Sequence, residues 1–379
     1  MKLNVKSVQS ALGACEFVYA GVKTTLTDAY NICIEPESSS HALLRAAGIN
    51  GAAISIVTAE CSEKELESKQ PVILAYQDLL LAVKNATSEV IEVKQKDKYI
   101  MFVAGRTRAK CSCGAGVMDW DFNSPYTEIT KLDKKEVHPK LQYLSKFAST
   151  DELRPQLCGV SIFITEENII GFATDQQRAA KSVLKHFHSA PKEYWGTTML
   201  MDQRMPSAME HMDDSITIGI RDEDVLVMQD DVTTVYFRMP NATISFTQAD
   251  GIYKAADSSD FDMIVVQGQE FVKTVARGLS FLKGGSNSMA QPVEFVHGGL
   301  RFVQEETGKV WREDYDAIKF DNEETVFRMN AALMMVLGSI KGEVCIKFRR
   351  RVEDYQSKPV VAESHDSDIQ MLFMPINGG

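Results

Sequence analysis

The 379-residue sequence lacks the short motifs that most often mark an active site. It has no GxxxxGK[ST] phosphate-binding loop, no HExxH zinc motif and no GxSxG nucleophile elbow. No apolar run approaches the ~20 residues that a membrane-spanning helix needs. The N-terminal stretch carries Val8, Leu12 and Cys15 at helical spacing among polar residues, which predicts an amphipathic helix rather than a signal peptide.

Cysteine is also sparse, with seven residues scattered along the chain, an odd number that predicts reduced thiols and a cytoplasmic setting. Cys111 and Cys113 stand one residue apart, too close for the usual CxxC zinc clamp, and no second pair completes a tetrahedral site. We therefore predict structural thiols, no bound metal and no cofactor.

Positive charge is in deficit, since 41 Lys and Arg face 52 Asp and Glu for a net charge of -11. Spread evenly, this charge would oppose unspecific attraction to nucleic acid or anionic lipid. A hydrophobic content of 44% with 25% charged residues is typical of a globular protein, and the length favours two or three domains.

One pattern recurs in each third of the chain: a short apolar strand, a helix, then a strand hairpin. The alternating strands at Ile91, Ile216 and Val344 lie 125 and 128 residues apart, as expected of strands with one buried face. We predict an α+β fold of three repeated domains with antiparallel sheets, although accidental periodicity would produce a similar pattern. The predicted domains are 1–135, 136–257 and 258–379. The helices predicted to open each third are 5–20, 141–150 and 270–282.

The stretch GFATDQQRAAKS (171–182) places Thr174, Asp175 and Arg178 at the end of a predicted hairpin. Further motifs are MKLNV at the start, GRTRAKCS (105–112), RPQLCGV (154–160) and MLFMPINGG at the end. Together, and in order along all three thirds, they resemble the bacterial β sliding clamp, the processivity factor of DNA polymerase III. The match is that of a divergent member, such as one that a phage encodes.

The resemblance implies a protein that is not an enzyme. Two three-domain chains of the family close head to tail into a ring, with sheets outside and two helices per domain lining the hole. Double-stranded DNA threads the ring without sequence-specific contacts. The polymerase and the clamp loader insert short linear peptides into a pocket between the second and third domains. The implied location is the cytoplasm, at the nucleoid, or the host cytoplasm for a phage-encoded member, with no membrane partner.

Carried over by motif, the implied peptide pocket consists of Leu157, Thr174, Gln176, Gln177, Arg178, Ala179, Pro240, Leu372, Phe373, Met374, Pro375 and Ile376. The family usually has Gly-His at 176–177, Leu in place of Ala179 and Val in place of Phe373. These departures predict an altered pocket with a different preferred peptide.

Charge segregation agrees with this interpretation. The segments proposed to line the hole are 5–23, 76–87, 138–150, 202–214, 267–283 and 328–342. They contain 11 Lys and Arg against 7 Asp and Glu, opposite in sign to the whole chain, as sequence-independent phosphate binding requires. The implied DNA contacts are Lys23, Lys140, Lys146, Lys273, Arg277 and Lys283.

The resemblance also implies a homodimer interface. Its residues are Arg106, Arg108, Ala109 and Cys111 on the first-domain side and Ser280 and Phe281 on the third-domain side. The family usually has bulkier apolar residues on the first-domain side, which predicts a weaker interface here.

Two other functions stay open. The first is a clamp-like protein that stays monomeric and acts as a regulator or decoy, which the weak first-domain interface keeps open. A metal-dependent hydrolase would instead use Asp257, Asp260, Asp262 and His186 or His188, and would bind a divalent metal stoichiometrically.

Overall fold

The computed structural model describes residues 1–19, 30–96, 98–240, 243–256, 261–282, 292–304, 308–320, 323–324, 326–349, 359–364, 366 and 368–375. Its helices are α1 Val5–Tyr19, α2 Glu63–Ser68, α3 Tyr76–Lys84, α4 Lys134–Leu144, α5 Met205–Glu210, α6 Phe246–Ala256, α7 Gly268–Leu282 and α8 Ala331–Met334. Short 3-10 turns occupy Ser145–Phe147, Pro155–Leu157, Lys192–Tyr194 and Met335–Ser339. Its strands are β1 Lys2–Asn4, β2 Asn31–Pro36, β3 His41–Gly48, β4 Gly51–Glu60, β5 Val72–Ala75, β6 Val90–Lys96, β7 Tyr99–Ala104, β8 Thr107–Ser112, β9 Thr127–Asp133, β10 Gly159–Ile164, β11 Asn168–Thr174, β12 Arg178–His186, β13 Thr198–Asp202, β14 Ser215–Arg221, β15 Val225–Gln229, β16 Thr233–Arg238, β17 Phe261–Gln267, β18 Pro292–Val296, β19 Gly299–Gln304, β20 Lys309–Asp314, β21 Val326–Asn330, β22 Glu343–Arg349, β23 Val360–Ser364 and β24 Ile369–Phe373.

One compact unit comprises the described residues of 1–139, 188–195 and 199–241. Its sheet has the strand order β8-β7-β6-β1-β4-β16-β15-β14-β9, while β3 pairs with β4, and β2 pairs with both β3 and β5. The amphipathic α1 supplies the core with Val8, Leu12 and Cys15, all fully buried at the spacing that the sequence predicts.

The second compact unit comprises the described residues of 140–187, 196–198 and 242–379. Within it β10-β11-β12-β24-β23-β22-β17 run side by side, and β20-β19-β18-β21 form a separate sheet. Aromatic rings fill the core beneath α7: the Phe295 ring centroid lies 4.9 Å from that of Phe348 and 5.9 Å from that of Phe271. This unit positions the candidate site.

The predicted fold class is confirmed, because helices accompany sheets whose described strand pairs are antiparallel. The hairpin before Thr174 also forms as predicted, from β10 and β11. The helix expected over 141–150 instead begins at Lys134, because the Asp133 carboxylate accepts the Lys135 backbone N–H at 2.8 Å and caps the helix. The three domain boundaries stay a prediction.

None of the described helices combines the length and the apolar character needed to cross a membrane.

Candidate functional site

The turn between β11 and β12 is built from side chains that bond to their own backbone. The Thr174 hydroxyl donates to the Arg178 carbonyl at 2.8 Å and accepts the Gln176 N–H at 3.0 Å. Asp175 Oδ1 accepts the N–H groups of Gln177 and Arg178, both at 3.0 Å. Such bonds let a short polar turn adopt the left-handed backbone seen at Gln176, whose φ is 76°. The turn is therefore rigid, with both glutamine side chains exposed.

Arg178 ties this turn to the end of the preceding helical segment. Its Nε lies 2.9 Å from Asp175 Oδ2, and its Nη2 donates to the Lys146 carbonyl at 2.8 Å. The guanidinium carbon also lies 5.2 Å from the Phe147 ring centroid. These contacts make Arg178 a residue that positions the turn.

β24 lies between β12 and β23, so the first three residues of the C-terminal motif, 371–373, belong to an interior strand of the sheet. Arg178 pairs with Phe373 and Ala179 with Leu372, and the Met374 N–H extends the ladder to the Gln177 carbonyl at 2.8 Å. Phe373 is fully buried on one face of the sheet, where its ring centroid lies 6.1 Å from that of Phe147. Leu372 is 2% exposed, whereas Met374 is 41% exposed.

Helix α6 packs on the other face of this strand pair. We call Phe163, Phe172, Ala179 and Leu372 the covered face, and Phe246, Ala249, Tyr253 and Ala256 of α6 the anchors. The anchors repeat every three or four residues and so share one side of the helix. The Phe246 ring lies 5.4 Å from that of Phe163, and the Tyr253 ring 6.3 Å from that of Phe172. The sequence did not predict this helix.

A cleft of about 440 Å³ opens beside α6, with the covered-face phenylalanines on its floor and Lys181, Asp250 and Glu363 among its walls. The Lys181 ammonium lies 4.2 Å from the Tyr253 ring centroid. Burial lowers the pKa of Lys181, against the opposing effect of the Asp250 and Glu363 carboxylates. Burial also raises the pKa of Tyr253 well above its usual value, and its hydroxyl donates to the Gln370 carbonyl at 3.1 Å.

The other predicted pocket residues are spread more widely. Leu157 is buried at the end of its 3-10 turn, where its carbonyl accepts the Ser149 N–H at 2.8 Å. Pro375 forms an isolated bridge with Met329. Pro240 follows β16 in the other compact unit and is partly exposed, while Ile376 lies outside the described residues.

Two predicted DNA-contacting cations lie one turn apart on the exposed side of α7. Lys273 and Arg277 are both exposed, and Arg277 Nε donates to Glu313 Oε2 at 3.2 Å. Lys23 and Lys283 lie outside the described residues.

The other two predicted cations differ in exposure. Lys146 is exposed, with Nζ 2.6 Å from the Ser339 hydroxyl. The Lys140 side chain is 20% exposed and donates to the Val183 carbonyl at 2.8 Å. Lys140 therefore has a structural contact that Lys273 does not show among the described residues.

The predicted interface residues lie at sheet edges and on α7. β8 is the end strand of its sheet, with Arg106 and Arg108 exposed and Ala109 and Cys111 partly exposed. Burial raises the pKa of the Cys111 thiol to about 11, which keeps it protonated at neutral pH. Ser280 and Phe281 are exposed at the end of α7, the Phe281 side chain at 50%.

Among the described residues, no group of three or more His, Cys, Asp and Glu side chains is placed to hold a metal ion. His186 Nδ1 lies 2.8 Å from Asn168 Oδ1, and Asp262 is buried in β17. Asp257 and Asp260 lie outside the described residues.

No protein-family model and no curated protein matches the sequence. Solved structures do match. The DNA polymerase sliding clamp from Caulobacter crescentus is 16% identical with a TM-score of 0.78, and the match covers 100% of each chain. The DNA polymerase III β subunit from Thermotoga maritima is 16% identical with a TM-score of 0.79, over 100% of this chain and 99% of that one. The sliding clamp from Bartonella birtlesii, solved with griselimycin bound, is 15% identical with a TM-score of 0.81, again over 100% and 99%. The chain thus has the fold of these clamps, as its motifs predict.

Proposed function

We propose that this chain is a DNA sliding clamp, a processivity factor that encircles duplex DNA and catalyses no reaction itself. The observation that carries the proposal is the match to solved sliding clamps over the whole chain, at TM-scores of 0.78 to 0.81. A fold that matches from end to end supports a whole clamp chain, whereas a match to one domain would not.

The proposed ring is a homodimer whose contacts involve the β8 edge of one chain and the end of α7 in the other. An unpaired strand edge presents backbone N–H and C=O groups that pair readily with another chain. The exposed Phe281 ring at the end of α7 offers apolar surface, as an interface requires. Lys273, Arg277 and Lys146 are the cations proposed to meet DNA phosphates.

Partner proteins, among them a DNA polymerase and a clamp loader, are proposed to bind through short linear peptides at the turn over 174–178 and the adjoining end of β24. The exposed Gln176, Gln177 and Met374 support this placement, because they form the accessible rim above buried apolar residues. The proposed setting is the cytoplasm, at the nucleoid, or the host cytoplasm if a phage encodes the chain.

Imaging and DNA retention together test the proposal. Negative-stain electron microscopy of the purified chain should show six-lobed rings with a central hole. After crosslinking in the presence of nicked circular plasmid, the protein should stay with the plasmid through high salt and leave once the plasmid is linearised. Equal retention on linear and circular DNA would overturn the proposal. Particles of single-chain mass would favour the monomeric regulator.

A further inference from the structure

The side of β6, β7 and β8 that points away from the core carries positive charge, although the net charge of the chain is -11. Alternate residues of each strand share this side, and the pairing places Met101 between Lys94 and Lys110. In the next row Lys96 lies opposite Tyr99. Within the described part of these strands, this side bears four exposed cations and one carboxylate: Lys94, Lys96, Arg108, Lys110 and Glu92.

The cations lie on both sides of a less polar strand. Lys94 and Lys96 are on β6, and Lys110 is on β8, two strands and so about 10 Å away. Between them β7 presents Tyr99 and Met101, both partly exposed. We call Lys94, Lys96, Tyr99, Met101 and Lys110 the basic face. A ligand lying along β7 would therefore contact an aromatic ring and a thioether beneath it and ammonium groups on either side.

The charges of the basic face are only partly neutralised within the chain. Lys94 Nζ lies 2.8 Å from Glu92 Oε2, but their side chains are 45% and 34% exposed, and such surface pairs contribute little. Lys110 Nζ lies 3.9 Å from the Tyr99 ring centroid, in a cation–π contact. Within the described part of the chain, neither Lys96 nor Lys110 belongs to an ion pair. Both ammonium groups are therefore available to an anionic ligand.

We propose that the basic face binds single-stranded DNA, with a base on the Tyr99 ring and phosphates at Lys94, Lys96 and Lys110. Sites that bind single strands without sequence preference combine aromatic rings, on which bases stack, with cations that follow the backbone. A base on Tyr99 takes the place of the Lys110 ammonium, because stacking is the stronger contact, and that ammonium then meets a phosphate. A duplex keeps its bases stacked inside and cannot use the ring.

This surface is separate from the contacts proposed for the ring. The proposed dimer uses the edge of β8, where backbone groups pair with another chain, whereas the basic face is the broad side of the sheet. Pairing at an edge extends a sheet sideways and leaves its broad sides uncovered. Arg108 shares this side of the sheet but is assigned to the dimer, so it is not part of the basic face.

Fluorescence anisotropy of a labelled oligothymidylate of about 12 nucleotides, titrated with the intact chain between about 50 and 200 mM salt, tests the proposal. Lys96→Gln/Lys110→Gln should weaken binding about tenfold or more at the lowest salt. It should also reduce the slope of log affinity against log salt by about 1.4, since each lost phosphate contact removes about 0.7. The matched control, Lys64→Gln/Lys69→Gln, removes two exposed charges at α2 and should bind like the parent chain.

Variants of Tyr99 test stacking separately from charge. Tyr99→Ala should weaken binding about fivefold or more and leave the salt slope unchanged, because the phosphate contacts remain. Tyr99→Phe keeps the ring and should bind like the parent chain. When the oligonucleotide carries 5-iodouracil, near-ultraviolet irradiation should crosslink it to residues 99–106, which trypsin releases as one peptide.

Equal affinity of the parent and Lys96→Gln/Lys110→Gln chains, or an equal loss in the Lys64→Gln/Lys69→Gln control, would overturn the proposal. Crosslinks found only outside residues 99–106 would do the same, as would an equal loss of binding to a duplex of the same length. Tighter binding of oligoglutamate than of the oligonucleotide would assign the basic face to an acidic protein segment instead. A short oligonucleotide with free ends is not retained by encirclement, so this test is independent of whether rings form on circular DNA.

Discussion

Arg178 and Asp175 form an ion pair that closes the turn between β11 and β12, with Nε 2.9 Å from Oδ2. The same carboxylate accepts the backbone N–H groups of Gln177 and Arg178. The same guanidinium reaches the Lys146 carbonyl. The Asp175 and Arg178 side chains thus fix the conformation of the turn and link it to the helical segment before it. The exposed Gln176 and Gln177 side chains therefore project from a backbone that these contacts hold in place.

Replacing Asp175 with Ala should destabilise the chain by about 1–3 kcal/mol, because two backbone N–H groups and a partly buried guanidinium lose their acceptor. Asp175→Asn keeps an oxygen for the N–H groups and loses the charge, so its cost should be only about 1 kcal/mol. Urea titration followed by circular dichroism measures both. Glu60→Ala, which breaks the exposed pair with Lys2, is the control and should leave the midpoint unchanged. A larger loss for Asn than for Ala would contradict this account.

Phe373 and Met374 are adjacent but should respond differently to truncation. Phe373→Ala removes a fully buried ring from an interior strand and should cost about 3–5 kcal/mol. Met374 is 41% exposed, so Met374→Ala should change stability by no more than about 0.5 kcal/mol. Met374 is therefore the residue with which to test partner binding, because a loss of binding there would not reflect unfolding. Thermal unfolding of both variants checks the contrast, and equal losses would contradict it.

The elements that the sequence predicts best are those with strong periodicity. The hairpin places apolar Val160, Ile162 and Ile164 at alternate positions of its first strand, and α1 and α7 carry apolar residues at helical spacing, so local pattern alone determines their type. The apolar spacing of the sequence does not reveal α6, because Gly251 and polar residues interrupt it. A usable signal was present: the Ser245 hydroxyl and the Gln248 side chain bond reciprocally to each other's backbone N–H, a capping box that marks a helix start.

The surroundings of the proposed site residues could not be predicted from the sequence. Motif resemblance placed Thr174, Arg178 and Leu372 together, and β12 and β24 do pair there. No local pattern could show that Leu372 is covered, since its cover comes from Tyr253 and its neighbours, more than a hundred residues earlier in the chain. The burial of Leu372 depends on which segments distant in sequence come into contact, and local secondary-structure propensity does not predict such contacts.

Phe281 should be an anchor of the proposed dimer. Its side chain is 50% exposed at the end of α7, and a buried aromatic at an interface commonly dominates the binding energy. Phe281→Asp should raise the dimer dissociation constant about tenfold or more, measured by sedimentation velocity across a dilution series. Phe187→Asp is the matched control, because that ring is 87% exposed outside the proposed interface. The same dissociation constant for both variants would remove Phe281 from the interface.

Variants of Lys273 and Lys140 should distinguish a lysine that contacts DNA from one that stabilises the fold. Lys273 is exposed on α7, so Lys273→Ala should weaken binding to duplex DNA of any sequence and reduce the slope of log affinity against log salt by about 0.9. Lys140 is mostly buried and donates to the Val183 carbonyl. Lys140→Ala should therefore leave the slope unchanged and lower stability by about 1 kcal/mol. Anisotropy of a labelled duplex between 50 and 200 mM salt, roughly the range over which such slopes are resolved, measures both variants. An unchanged slope for Lys273→Ala would mean that α7 does not face the phosphates, whereas a reduced slope for Lys140→Ala would mean that its ammonium leaves Val183 to reach DNA.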